Sequence, residues 1–145
     1  AGEPDRGRTC KMRASSRSEH ALNQTIAIAL GGALGALLRF WTSVGVAQVF
    51  GREFPYGTLL VNVLGSLAMG FLYVFFLERS ALEPEWRALV LVGFLGAFTT
   101  FSTFSIETLN LLEQGAVVRA AVYVLVSVIG CVAAVWLGVV AGRNL

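Results

Sequence analysis

Four long apolar stretches, set close together, constrain this chain of 145 residues more than any other feature; they fall at about 22–50, 58–77, 85–112 and 116–141. A helix needs about 20 mostly apolar residues to cross a hydrocarbon core roughly 30 Å thick, and each stretch meets that length. Hydrophobic residues make up 56% of the chain and charged ones only 14%, with a mean hydropathy of +0.72. A water-soluble domain of this size needs more charge than that to cover its surface. The sequence therefore predicts an all-α integral membrane protein of four transmembrane helices over 22–145, behind a basic tail over 1–21.

The tail concentrates Arg6, Arg8, Lys11, Arg13 and Arg17, partly offset by Glu3, Asp5 and Glu19, and has no helical apolar period. It reads as a disordered, solvated leader rather than a nucleic-acid arm. Followed by the apolar Ile26–Leu38 it has the outline of a signal peptide, but three further spans and the lack of a good cleavage site argue against removal. Beyond the tail, Arg79, Arg87 and Arg143 fall on the N-terminal side of the membrane, and Arg52 and Arg119 on the other, joined by Arg39 if it reaches that interface. So small a bias in loop charge gives little preference for either orientation. An antiparallel, dual-topology homodimer is the expectation.

Polar residues inside spans cost several kcal/mol unless partnered, so they mark where chemistry is placed. The third span reads Gly93-Phe94-Leu95-Gly96-Ala97-Phe98-Thr99-Thr100-Phe101-Ser102-Thr103-Phe104-Ser105, with Glu107 beyond it. A single Ser or Thr in a span usually bonds back to the helix backbone one turn earlier. Five hydroxyls in the seven residues Thr99–Ser105 exceed that habit. Phe101 and Phe104 share one face, Ser102 and Ser105 the next, and Thr103 stands four residues before Glu107. A phenyl edge carries partial positive charge, so such edges beside hydroxyl donors suit a small hard anion that must be held without being trapped. Glycine followed by β-branched residues from Gly96 to Thr100 predicts a third helix broken near its centre. The carbonyls freed there are tolerable only inside protein or against an ion.

Elsewhere, Asn62 and Ser66 lie one turn apart in the second span, and Tyr123, Ser127 and Cys131 recur at four-residue spacing in the fourth. Gly31, Gly32, Gly35 and Ala36 read as packing residues that let helices approach. Arg39 either reaches the interface as an ordinary snorkelling cation or draws an anion into a vestibule. Cys10 and Cys131 sit in environments that do not allow pairing. His20 is the one histidine, so no histidine-based metal site forms, and no nucleophile–base pair supports an enzyme.

At these residues the chain resembles the CrcB/Fluc family of fluoride channels. The likeness rests on Gly31 to Ala36 with Arg39, on Gly57-Thr58-Leu59-Leu60-Val61-Asn62 with Gly65, and above all on Gly93 through Glu107. The resemblance implies a dual-topology homodimer in the cell membrane that passively exports fluoride and holds a structural sodium ion. It implies a pore built from Phe101, Phe104, Asn62, Ser102, Thr103, Tyr123 and Ser127. Arg39 would be the vestibule cation, and Gly96 and Thr99 would supply backbone carbonyls to sodium. Glu107 matches a family carboxylate, either gating the ion path or bonding a hydroxyl. Cys131 stands where a hydroxyl is expected. The rival reading is a small proton-coupled multidrug or cation exporter, which shares the four-span plan but needs an embedded carboxylate, usually in the first span. That span has none.

Overall fold

A computed structural model of the chain describes the backbone of residues 6–79 and 83–145, and the side chains of residues 19–78 and 83–145. The fold is all helical, with four membrane-length spans at Glu19–Phe50, Tyr56–Glu78, Pro84–Glu113 and Val117–Asn144. In hydrocarbon every backbone N–H and C=O must be met within the protein, which leaves a helix as the economical way for each apolar stretch to cross. The chain is a multi-pass membrane protein. The first helix, α1 (Arg6–Phe50), reaches back into the segment read as a disordered tail, while the span itself starts at Glu19.

Turns fall where the chain carries glycine or proline. Gly51, at φ +79°, ends α1, and its N–H meets the Ala47 carbonyl at 3.1 Å; the left-handed conformation suits glycine because it has no Cβ to clash. The second span is α2 (Tyr56–Tyr73), whose last turns widen into a π-helical stretch, Val74–Arg79. Pro84 opens α3 (Pro84–Arg87), where its missing N–H has no helical partner to lose. A second π-helical stretch, Ala88–Leu95, leads into the short α4 (Gly96–Phe98). Helix α5 (Phe101–Glu113) completes the third span, and Gly115, at φ +72°, turns the chain into α6 (Val117–Asn144).

The four spans pack as two tight pairs. In one, α1 lies along the first half of the third span; in the other, α2 lies along α6. Both seams are made of glycine. A Cβ on Gly31 would run into the Leu89 carbonyl, on Gly35 into the Phe94 carbonyl, and on Gly138 into the Leu67 carbonyl. Gly93 and Gly70 face backbone in the same way. Small residues are what bring helices together in lipid, where no hydrophobic effect drives them. At one membrane face, Arg143 clasps Glu78 through both carboxylate oxygens (2.8 and 3.2 Å), and His20 meets Glu85 at 3.2 Å.

The third span is interrupted between α4 and α5. Thr99 (φ −84°, ψ 158°) and Thr100 (φ −153°, ψ 118°) are extended. Gly96 keeps helical angles, φ −62° and ψ −35°, so the interruption falls on the threonines rather than on the glycine before them.

Candidate functional site

The interrupted backbone of the third span is held by side chains. Asn62, on α2, faces Thr100 with both ends of its amide: Thr100 N–H donates to Oδ1 at 2.7 Å, and Nδ2 donates to the Thr100 carbonyl at 3.0 Å. Such a pair imitates the contact a neighbouring strand would make. Thr100 then caps α5, its Oγ1 accepting from the Thr103 N–H at 3.2 Å. The same hydroxyl donates to Thr103 Oγ1 at 2.9 Å and lies 3.3 Å from Ser102 Oγ. A cap of this kind is worth about 1 kcal/mol and meets one of the donors that a helix start leaves open.

These bonds have a consequence for two carbonyls. In an unbroken helix the Thr100 N–H would serve the Gly96 carbonyl, and the Thr103 N–H the Thr99 carbonyl. Here the first goes to Asn62 Oδ1 and the second to Thr100 Oγ1. Gly96 and Thr99 are thus among the positions at the break whose oxygens lose their regular helical donors.

One turn further on, rings and oxygens converge. Phe104 is buried, with its ring centroid 5.1 Å from Tyr123 and 5.4 Å from Phe101. Phe54, from the loop after α1, meets Tyr123 edge-on at 5.5 Å. Tyr123 is 0% exposed, yet its hydroxyl is satisfied, donating to Glu107 Oε2 at 2.7 Å. Thr58 Oγ1 donates to the other carboxylate oxygen, Oε1, at 2.9 Å. Glu107 therefore joins α2, α5 and α6 through hydrogen bonds to both of its carboxyl oxygens. Ser127, one turn along α6 from Tyr123, is 5% exposed and its Oγ has no hydrogen-bond partner. Cys131 follows, partly buried, as a free thiol.

Beyond Glu107 and Thr58 a cavity of about 720 Å³ opens to the outside, walled by the loop after α1 and the start of α6. Arg52 and Arg119 line it. Arg119 Nη1 donates to the Glu53 carbonyl at 3.2 Å.

Of the residues singled out in the sequence, Asn62, Ser102 and Thr103 form one cluster around Thr100, and Phe101, Phe104, Tyr123 and Glu107 form the next. Phe101 and Phe104 are ring neighbours, but Phe101 is 78% exposed against 9% for Phe104. Arg39 is half buried and does not line the cavity, although Phe40 and Ser43 do. Sequence reasoning passed over Thr58 and Thr100 as individual site residues. Thr100 was visible only as one hydroxyl of a run, and Thr58 only as part of the Gly57–Asn62 stretch on which the resemblance rests, with no role of its own.

Comparison with known proteins places the chain in a family. The family model described as "CrcB-like protein, Camphor Resistance (CrcB)" matches residues 26–139. A protein of Methylococcus capsulatus named "Fluoride-specific ion channel FluC" is 61% identical over 119 residues, covering 82% of this chain and 52% of that protein. The chain thus spans about half the length of that relative. Proteins of the same name from Shewanella amazonensis and Citrifermentans bemidjiense are 53% and 48% identical; the matches cover 81% and 86% of this chain, and 94% and 100% of theirs.

Proposed function

The chain belongs to the CrcB family, and from that premise we propose that it is a passive, fluoride-selective channel of the cell membrane rather than an enzyme. The observation that carries this reading is the arrangement at mid-span: an extended, hydroxyl-rich backbone clamped by Asn62, followed directly by Phe104 packed on Tyr123. Fluoride sheds tightly held water to cross a membrane. Ring edges and O–H donors replace part of that shell while binding weakly enough for release. Phe101 and Phe104 supply the edges; Asn62, Ser102, Thr103, Tyr123 and Ser127 supply the polar side, with Glu107 at its outer end.

A second copy completes the pore. Phe101, Ser102 and Ser105 are exposed in one chain at membrane depth. Polar groups facing lipid are expensive, and an antiparallel partner covering this face removes that cost. Arg39 is assigned to the vestibule of that dimer.

Sodium fits the same region. The Gly96 and Thr99 carbonyls have their usual donors diverted, and all-oxygen ligation suits a hard monovalent cation. A bound sodium ion would supply positive charge to join the two interruptions. The protein's own part is to keep those carbonyls free of helical donors, which Asn62 and the Thr100 hydroxyl do.

The direct test is efflux from liposomes loaded with fluoride or chloride. Rapid fluoride loss with chloride retained is expected. Fluoride retention as in protein-free vesicles, or organic-cation uptake driven by a pH gradient, would defeat the channel reading, the latter in favour of a proton-coupled exporter.

A further inference from the structure

Asn62 and Gly65 stand three residues apart on α2 and share a face, and both meet the interrupted backbone of the third span. Thr99 is pinned twice to its own helix: its N–H and its Oγ1 both donate to the Leu95 carbonyl, at 3.1 and 3.0 Å. With the hydroxyl so committed, the Thr99 methyl is turned onto α2 at Gly65. A Cβ on Gly65 would run into that methyl, Cγ2, and would stand 3.2 Å from Phe98 Cδ1. Movement of the ring by a few tenths of an ångström relieves the Phe98 contact. The methyl contact has no such outlet. A β-branched side chain is stiff at χ1, and turning it gives up the bond to Leu95.

The peptide between Thr99 and Thr100 is trans and planar, so its C=O and N–H point in opposite directions. The N–H points at Asn62 Oδ1, 2.7 Å away, which turns the Thr99 carbonyl away from that amide. We infer that Gly65 is a positioning residue for this carbonyl: its bare backbone lets the Thr99 methyl seat on α2, and that seat, with the Asn62 bond, fixes where the oxygen points. The inference rests on the sodium reading and adds to it a residue that touches no ligand. Groups that orient a metal's ligands affect its affinity nearly as strongly as the ligands do. A methyl added at Gly65 displaces Thr99 and turns its oxygen, yet removes no donor and no charge.

The melting temperature of purified protein in detergent is read across sodium concentrations, with choline replacing sodium at constant ionic strength. An ion that binds only the folded protein raises that temperature with concentration. Gly65→Ala is expected to need about tenfold more sodium for the same rise, the low end of the loss when a metal ligand's support is removed. G65A/T99S removes the methyl that the new Cβ would meet and keeps the hydroxyl for Leu95, so the parent's sodium response is expected to return. Thr99→Ser alone is expected to stay near the parent. If Gly65→Ala alone cannot be purified, recovery of folded, sodium-responsive protein in the double variant supports the inference equally. Gly65→Ala responding to sodium like the parent overturns it. So does a double variant that stays as impaired as Gly65→Ala, or that cannot be purified, since the collision is then not with the Thr99 methyl. A parent whose melting temperature ignores sodium while it still passes fluoride overturns the sodium reading itself, and the inference with it.

Discussion

The two halves of the third span meet the same problem, a backbone deep in an apolar medium, in opposite ways. Before the interruption the chain presses its backbone onto α1 at Gly31, Gly35 and Gly93, where no side chain stands between the two helices. After it, α5 stands away from backbone neighbours and is tied to them by side chains: Asn62 to Thr100, Thr58 and Tyr123 to Glu107. Close backbone contact makes a rigid wall with no chemistry. Contact through amides and hydroxyls leaves donors and carbonyls that an ion can use. The same contrast separates the α2–α6 seam at Gly70 and Gly138 from Tyr123 and Ser127 higher on α6.

The largest effect should come from the glycine seams. Gly35→Leu and Gly138→Leu would drive a side chain into the Phe94 and Leu67 carbonyls, which no rotamer change relieves. Overpacking a core usually costs about 1–3 kcal/mol, and a backbone collision lies above that range. Neither variant is expected to yield monodisperse protein by size exclusion in detergent. Gly45→Ala is the control, since an added Cβ there has nothing within 4 Å. If Gly45→Ala is lost as readily as the seam variants, packing in the seams is not what distinguishes them.

Next comes the amide clamp. Asn62→Leu keeps the volume but strips partners from the Thr100 N–H and carbonyl, at about 1–3 kcal/mol for each buried group left unmet. A lower melting temperature and lost fluoride flux are expected together. Retained stability with retained flux would mean that the extended threonines hold themselves, and the contrast between the two halves would collapse.

How much of this was legible in the sequence follows the same division. The spans were legible because lipid imposes length and apolarity on each one separately: 22–50 was expected against Glu19–Phe50 found, and 85–112 against Pro84–Glu113. The polar cluster was legible as composition. Its wiring was not, because the Asn62–Thr100 and Thr58–Glu107 bonds join different spans, and no local pattern selects such partners. The interruption falls within the expected Gly96–Thr100 stretch, but which residues of it open was not legible, for a related reason. Gly96 is the weaker helix former by propensity, but the helix opens at Thr99 and Thr100, where Asn62 and a hydroxyl recover the freed N–H groups. Arg39 stood out because it lies next to an apolar run, whereas Arg52 and Arg119 looked like ordinary loop and turn cations until the fold put them around one cavity.

The rings divide the polar half further. Phe104 packs on Tyr123, while Phe101 is 78% exposed in one chain. Phe104→Ile is expected to reduce fluoride efflux about tenfold, equivalent to about 1.4 kcal/mol on the barrier. Phe101→Ile should reduce it comparably only if a second copy brings that ring to the path. Full flux in both, with assembly intact, would remove the phenylalanines from the pore.

Ser127 gives the smallest change in stability and the sharpest separation of packing from conduction. Thr25, Thr99, Ser105 and Thr108 all turn their hydroxyls onto the carbonyl four residues back, the ordinary fate of a hydroxyl in a helix. Ser127 is more deeply placed than the exposed Thr25 and Ser105, yet its Oγ meets nothing. A buried hydroxyl without a partner is unfavourable by about 1–3 kcal/mol, so Ser127→Ala should leave the protein as stable as the parent or raise its melting temperature. If the hydroxyl contributed only to packing, flux would follow stability and be unchanged. If it is held in reserve for a passing anion, flux falls while stability does not. Opposite movement of the two readouts in this single variant is the expected result. A variant that loses stability and keeps its flux would place Ser127 with the glycines, among the residues that build the wall.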